Sequence, residues 1–455
     1  MSCHPPAPGE SDVNVSLQRQ RWQAAHTSAP LGSLLQRDAQ AFLRQSVSTP
    51  CLSAIQSASG IWLEDLQGRR WMDFHGNSAH NLGYGHPRLI AALQAQLQDL
   101  AFVPRRYTCE PAVALAETLG NLAPGDLSKV LLAPSGSDAI EIALAYARAA
   151  TGRFKTLSFW DAYHGAGFGA RSIGGEAMFR SGPIGPLLPG AEHVPPWGDY
   201  RNAWGVSADS ADLCLSQIRY VLAKEGDIGA LVAEPLRAAN PVPAPAGFWS
   251  QVKAACQAHG TLLIFDEIPT GLGRTGRLFA CEHERVVPDI LVLGKALGGG
   301  VLPMAAVVCH PRLDICDGYA YGHYTHEKNP LIARAALTTL EIIQQEGLVE
   351  HAQQMGDLAL QFLRDMMADH PLIGDVRGRG CLLGVELVRD PMTKTPADQA
   401  ADAIMYKALG RGLSFKVSMG NILILSPPLT ITETEMAQAL KILDICIGEV
   451  EAEGI

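Results

Sequence analysis

Two stretches decide how this chain reads: IFDEIPTGLGRTG at residues 264–276 and VLGKALGGG at residues 292–300. Each opens on a short apolar run of strand character and then breaks into a glycine-rich loop. Ligands of open α/β sheets bind just beyond the ends of such strands. A carboxylate placed there, Asp266, can stand beside a pyridinium nitrogen, and Lys295 in the next strand's loop can form a Schiff base with an aldehyde. Taken singly, the aspartate is a turn cap and the lysine a solvated loop residue. Together they describe a pyridoxal phosphate site.

Outward from this pair, further buried-strand runs stand at 130–133, 156–159, 230–233 and 305–308, with helical patterns at 113–122 and 138–149. The alternation predicts an α/β domain built on a mainly parallel sheet. Beyond residue 330 the pattern becomes helix at 331–345 and 355–369, strand in GCLLGVELV (380–388), helix at 398–409 and strand in NILILSPPL (421–429). A smaller α+β domain is expected there. Upstream, a polar leader precedes an amphipathic helix at 31–43, and SGIWLEDLQGRRWMDF (59–74) reads as a β-hairpin turning at Gln67 and Gly68.

The chain has 455 residues, 47% of them hydrophobic and 18% charged, which is the composition of a globular enzyme and not of a disordered chain. A net charge of -10 with no dense Lys/Arg run argues against a nucleic-acid partner. No apolar run reaches the roughly 18 to 20 residues of a membrane span. Ten cysteines lack any CxxC pair and are expected to be reduced thiols, and no metal is expected. The first fifteen residues have neither a basic start nor an apolar core, so a cytoplasmic protein is expected.

APSGSDAIEIALAYAR (133–148) follows a strand and opens a helix, so Gly136 and Ser137 can present N–H groups and a hydroxyl to an anion. With FWDAYHGAGFGA (159–170), VAEPLRAAN (232–240) and HYTHEKNP (323–330), the chain from about residue 60 to 432 resembles the class-III aminotransferase family. That resemblance implies fold-type-I architecture: a large domain (71–335) on a mainly parallel seven-stranded sheet, and a small α+β domain built from both termini (1–70 and 336–455). It implies that Lys295 holds pyridoxal 5'-phosphate, that Asp266 keeps the ring nitrogen protonated, and that Ile268 packs on the ring. Tyr163 stacks over the ring, with His164 and Gly165 completing a Tyr-His-Gly signature, Gly136 and Ser137 form the phosphate cup, and Glu234 is an active-site glutamate. Thr325 reaches the phosphate of the neighbouring subunit, which makes the expected partner a second copy of the chain, in a homodimer with shared sites or a tetramer.

The departures from the family pattern bear on the reaction. Pro269 stands where relatives often have glutamine, and Glu327 and Lys328 replace two glycines of the neighbour loop. In ILSPPL (424–429), Ile424 occupies the place of an arginine that grips a carboxylate, a bidentate role that no aliphatic side chain can take. Cations stand elsewhere: Arg105 and Arg106 in VPRRYT, Arg237, and Lys328. With His80, these are the candidate contacts to a substrate head group. Asn77 and Lys416 lie in further segments of resemblance, FHGNSAHNLGYGHP (74–87) and GLSFKVSMGN (412–421). The motif set is similar to the family's (R)-1-hydroxy-2-aminoethylphosphonate ammonia-lyase subgroup, which implies a small aminophosphonate substrate. The alternatives are an ω-amine transaminase, a phospho-lyase acting on an O-phosphorylated amino alcohol, and a catalytically silent cofactor-binding regulator.

Overall fold

The computed structural model describes residues 15–46, 48–198, 200–205 and 210–454. Most of the polar leader, with Cys3, lies outside the described residues. Seven strands form the central sheet: β1 (Lys129–Ala133), β2 (Lys155–Phe159), β3 (Ala191–Val194), β4 (Ile228–Ala233), β5 (Leu262–Asp266), β6 (Ile290–Leu293) and β7 (Ala305–Cys309). Their spatial order is β1-β7-β6-β5-β4-β2-β3, with β7 antiparallel to both neighbours and all other pairs parallel. Every residue of β4, β5, β6 and β7 is buried, because helices cover both faces, and that is why these strands read as unbroken apolar runs. The edge strand β3, Ala-Glu-His-Val, is buried only at Val194 and carries no such signature.

The flanking helices take their ends from local side-chain chemistry. Asn329 caps the helix Pro330–Gln345 by accepting the Ile332 N–H at 3.0 Å, with Pro330 in the first turn, where its missing N–H costs nothing. Thr432 and Glu435 form a reciprocal capping box on Glu433–Glu453. Losing such a cap costs about 1 kcal/mol. The amphipathic helix expected at 31–43 runs over Ala29–Ala41, and a second one, Leu17–His26, precedes it.

Both ends of the chain meet in a second layer of structure. The hairpin of Trp62–Asp65 and Arg70–Asp73 forms as expected, with Gly68 in the turn at φ 77°, and Ile55–Ser59 adds a strand on one side. On the other side Leu413–Ser414 pairs in parallel with Arg70–Asp73, more than three hundred residues away in sequence. Trp22, Trp71 and Tyr406 pack together over this junction, and the Trp71 indole N–H donates to the Leu409 carbonyl at 2.8 Å. A third, antiparallel sheet joins Ile373–Arg379, Leu382–Asp390, Ile422–Leu425 and Lys416–Ser418 in that order. The nine described cysteines are free thiols, all buried except Cys51. Among the described residues no helix is long and apolar enough to cross a membrane, and no cluster of His, Cys, Asp and Glu is arranged to hold a metal.

His370 ties the end of Leu348–Asp369 to the last helix, with ring nitrogens 2.9 Å from Asp444 and 2.8 Å from Glu451. Burial pulls its pKa down, but the two carboxylates outweigh that and raise it above the ordinary histidine value. The stabilisation is therefore complete below the unfolded-state value and is lost as pH rises through the raised folded value. Thermal unfolding of the wild type and of His370→Gln should show the largest difference in Tm near pH 6 and a shrinking one toward pH 8. A difference independent of pH would refute this role for the two ion pairs.

Candidate active site

The site lies at the carboxyl ends of β4, β5 and β6. Asp266 is the last residue of β5 and is buried. One carboxylate oxygen accepts the N–H of Ile268 at 3.1 Å, and the other lies 2.8 Å from Nδ1 of His164. A carboxylate offers only lone pairs here, so Nδ1 carries a proton, and Nε2 lies 3.3 Å from the Ser158 hydroxyl. His164 is itself buried, so the carboxylate is held in one orientation from within the core.

Lys295 follows β6 by a single residue, Gly294, and opens a short 3-10 turn, Lys295–Gly298. Its backbone sits at φ 46°, a left-handed conformation that costs a lysine roughly 1–2 kcal/mol. Backbone strain of this kind persists where the surroundings fix it, and it is common at functional positions. Because Asp266 pairs with Val292 across the sheet, the aspartate and the lysine project from neighbouring strand ends. Glu234 follows β4 in the same row. It accepts the Ala238 N–H at 2.9 Å, and its pKa is raised, first by burial and then by the charge of Asp266.

Above these groups is a cavity of about 360 Å³ whose walls include Gly136, Ser137, Tyr163, His164, Glu234, Asp266, Ile268 and Lys295. Gly136 and Ser137 open the helix Gly136–Thr151, where first-turn N–H groups have no intrahelical acceptor. The Ser137 hydroxyl accepts the Ala166 N–H at 2.9 Å and keeps its own proton to donate. A Cβ at Gly136 would fall 2.8 Å from Ile268 Cδ1, and one at Gly165 would fall 2.6 Å from Ser137 Oγ. Side chains at these glycines would fill the cradle. Tyr163 packs on Phe179 with ring centroids 4.4 Å apart. Pyridoxal phosphate suits this set: an amine for its aldehyde, a buried carboxylate for its ring nitrogen, a helix N-terminus for its phosphate, and a cradle with no Cβ in the way.

The remaining expected residues lie elsewhere. Arg105, Arg106, Thr325 and Lys328 are not among those lining the cavity. They belong to two segments that pack on each other: Arg105 bonds to His323, the rings of Phe102 and His326 lie 5.4 Å apart, and the Cys109 thiol points at the Lys328 carbonyl. Thr325 is exposed. Arg237 is fully buried, with its guanidinium 5.8 Å from the Trp197 ring centroid, and does not line the cavity either. His80 is likewise buried off the cavity. Its Nε2–H donates to the Asp73 carbonyl at 3.1 Å, its pKa is lowered by burial, and Gly76 lies so close that a Cβ there would overlap the ring.

In place of His80, the same segment supplies His75, Asn77 and Ser78 to the cavity wall. Gly76, Asn77 and Ser78 have successive φ values of 44°, 49° and 57°, a turn held by the Asp73 carboxylate, which accepts the N–H groups of His75 at 2.9 Å and Gly76 at 3.1 Å. Lys416 and Ile424 line the cavity as well, with Ser426, Glu176 and Phe179. Ser426 was readable from strand alternation, being two residues beyond Ile424. Glu176 and Phe179 come from a loop and a single helical turn, where sequence carries no periodic signal.

The chain is 42% identical, over 97% of its length and 95% of the relative's, to the (R)-1-hydroxy-2-aminoethylphosphonate ammonia-lyase of Vibrio splendidus. It is 34% identical to the isoleucine 2-epimerase of Lentilactobacillus buchneri, over 87% of this chain and 90% of that one. Among solved structures, an amine transaminase from an uncultivated Pseudomonas species in its PLP-bound form superposes with a TM-score of 0.83 at 30% identity, covering 90% of this chain and 99% of that one. Residues 44–447 match the aminotransferase class-III family, and the chain belongs to that family of pyridoxal phosphate enzymes.

Proposed function

We propose that this protein is an ammonia-lyase that converts (R)-1-hydroxy-2-aminoethylphosphonate to phosphonoacetaldehyde and ammonia. The observation that carries the proposal is Ile424, an aliphatic side chain in the cavity wall at the position where the family resemblance puts a carboxylate-gripping arginine. A transaminase must bind a keto acid in its second half-reaction, whereas elimination of ammonia needs no second substrate. The similarity to the Vibrio splendidus lyase supports the same choice.

The bound cofactor would supply an electron sink for charge developing on the amine-bearing carbon. The residues of this chain would do the rest. Asp266, oriented by His164, holds a proton on the ring nitrogen. The Lys295 amine would be the base that takes the proton from the amine-bearing carbon. The adjacent C–O bond then breaks and the hydroxyl leaves as water. The product leaves as an enamine, which tautomerises and takes up one water to give aldehyde and ammonia, so the net reaction consumes and releases no other molecule. Gly136 and Ser137 would hold the phosphate and Tyr163 and Ile268 would pack against the ring, with Glu234 in the same buried row of charge. Residues 71–335 form the cofactor domain of this proposal, with 1–70 joining a small domain of 336–455. The two packed segments that carry Thr325 and Lys328, and Arg105 and Arg106, would meet the site of a second copy in a homodimer.

Incubation of holoenzyme with racemic 1-hydroxy-2-aminoethylphosphonate, without any keto acid, should release ammonia and aldehyde in equal amounts over many turnovers. Product only on addition of pyruvate would make the protein a transaminase, and no product here but release of inorganic phosphate from O-phosphoethanolamine would make it a phospho-lyase. Lys295→Ala should lose the absorbance of lysine-linked cofactor and at least about 10³-fold in rate. Persistence of that absorbance would overturn the assignment of Lys295.

A further inference from the structure

The cation absent from position 424 has a counterpart one strand away. Lys416–Ser418 pairs antiparallel with Ile422–Leu425, and in that register Lys416 stands directly opposite Ile424. Directly opposed residues project from the same face of a sheet, with Cβ atoms about 4.5–5.5 Å apart. Both residues line the cavity that holds Lys295 and Asp266, and both are buried, at 8% and 3% exposure. Among the described residues lining that cavity, Lys295 and Lys416 are the lysines and there is no arginine.

We infer that Lys416 is the residue that seats the substrate's anionic group, taking over from position 424, and that it selects a tetrahedral dianion over a carboxylate. This rests on the proposed use of an aminophosphonate. A guanidinium is a planar fork matched to the two oxygens of a carboxylate, whereas an ammonium is a compact charge with three donors that meets a three-oxygen group equally well from any side. The neighbouring donors suit such a group. Ser426 lines the cavity one residue beyond the strand that carries Ile424, and Asn77 and Ser78 reach the cavity from the turn fixed by Asp73. Ile424 then acts as an apolar wall beside the ammonium, excluding water from the pair that Lys416 makes.

The test is a titration of holoenzyme, read from the absorbance of lysine-linked cofactor, with amines that differ only in the head group. 2-Aminoethylphosphonate and O-phosphoethanolamine carry tetrahedral dianions, β-alanine a carboxylate and ethylamine no charge beyond its amine, and none has the hydroxyl eliminated in the proposed reaction. The wild type should bind 2-aminoethylphosphonate more tightly than β-alanine or ethylamine. Lys416→Ala should weaken 2-aminoethylphosphonate by about 10- to 100-fold while leaving ethylamine within a few-fold, and Lys416→Arg should recover binding but shift preference toward β-alanine. Equal weakening of ethylamine would reduce Lys416 to a structural residue, and undiminished binding of 2-aminoethylphosphonate would put the anion elsewhere. A wild type that binds all four alike would overturn the aminophosphonate substrate along with its seat. Tighter binding of O-phosphoethanolamine than of 2-aminoethylphosphonate would keep Lys416 as the dianion seat but move the substrate to a phosphate ester.

Discussion

The buried guanidinium of Arg274 holds the parts of this site in one place. It belongs to the glycine-rich loop after β5, yet it donates to the Asn81 side chain at 2.6 Å, to the Cys381 carbonyl at 3.1 Å and to the Pro427 carbonyl. Those acceptors come from the N-terminal segment, the third sheet and the end of Ile422–Leu425. Burial brings its pKa down only to about 10, so it keeps its charge at neutral pH. Hydrogen bonds to a charged group contribute about 1.5–3 kcal/mol each, and a buried charge deprived of partners costs more than it gave. Around it two further bonds close the same circuit, with the Asn81 side-chain amide donating to the Leu272 carbonyl and the Cys381 backbone N–H donating to the Arg274 carbonyl, both at 2.9 Å. The loop that follows Asp266 is thus fastened to the two segments that carry Asn77 and Ser426.

A second constraint shapes the wall facing the cofactor cradle. Asp73 ends a strand that pairs with Leu413–Ser414, and its carboxylate holds the left-handed turn through Gly76, Asn77 and Ser78 while accepting the Tyr84 hydroxyl at 2.5 Å. Non-glycine residues in that backbone region store on the order of 1–3 kcal/mol each, which the surrounding bonds must offset. The energy spent there puts an amide and a hydroxyl into the cavity in place of the larger His80 ring. The Lys416 strand follows within two residues of Leu413–Ser414. Turn and lysine are therefore positioned by the same junction of the two chain ends.

How much of this was legible in the sequence follows the range of the interactions involved. The strands buried on both faces, the Asp266 and Lys295 loops and the Gly136 helix start announce themselves within ten residues, because burial on both faces and helix capping are local. The edge strand β3 was not legible, since one exposed side removes the apolar run that marks its neighbours. His80 was a fair candidate by residue type. Its exclusion depends on Gly76 closing over the ring, a contact set by a turn whose φ values no residue pattern dictates. Arg237 follows the same logic: its burial against Trp197 is a tertiary fact. Lys416 stood in a segment of family resemblance, but its place opposite Ile424 is a matter of register between two short strands.

That register bears on how one scaffold can change reactions. An arginine at 424 and a lysine at 416 would project from the same sheet face only a few ångströms apart, so moving the charge from one to the other leaves the cradle of Asp266, Lys295 and Gly136 untouched. What changes is the shape of the anion that fits and the presence of a fork able to orient a carboxylate beside the reacting carbon. Without that fork a keto acid has no bidentate partner in the described cavity wall, and the second half of a transamination loses its orientation, which is where much of the rate of a bimolecular step resides. Elimination makes no such demand, because its leaving group is already attached to the substrate. On the proposed function, exchanging which strand carries the cation would favour ammonia release over amine transfer while every residue of the cofactor cradle stays where the sheet puts it.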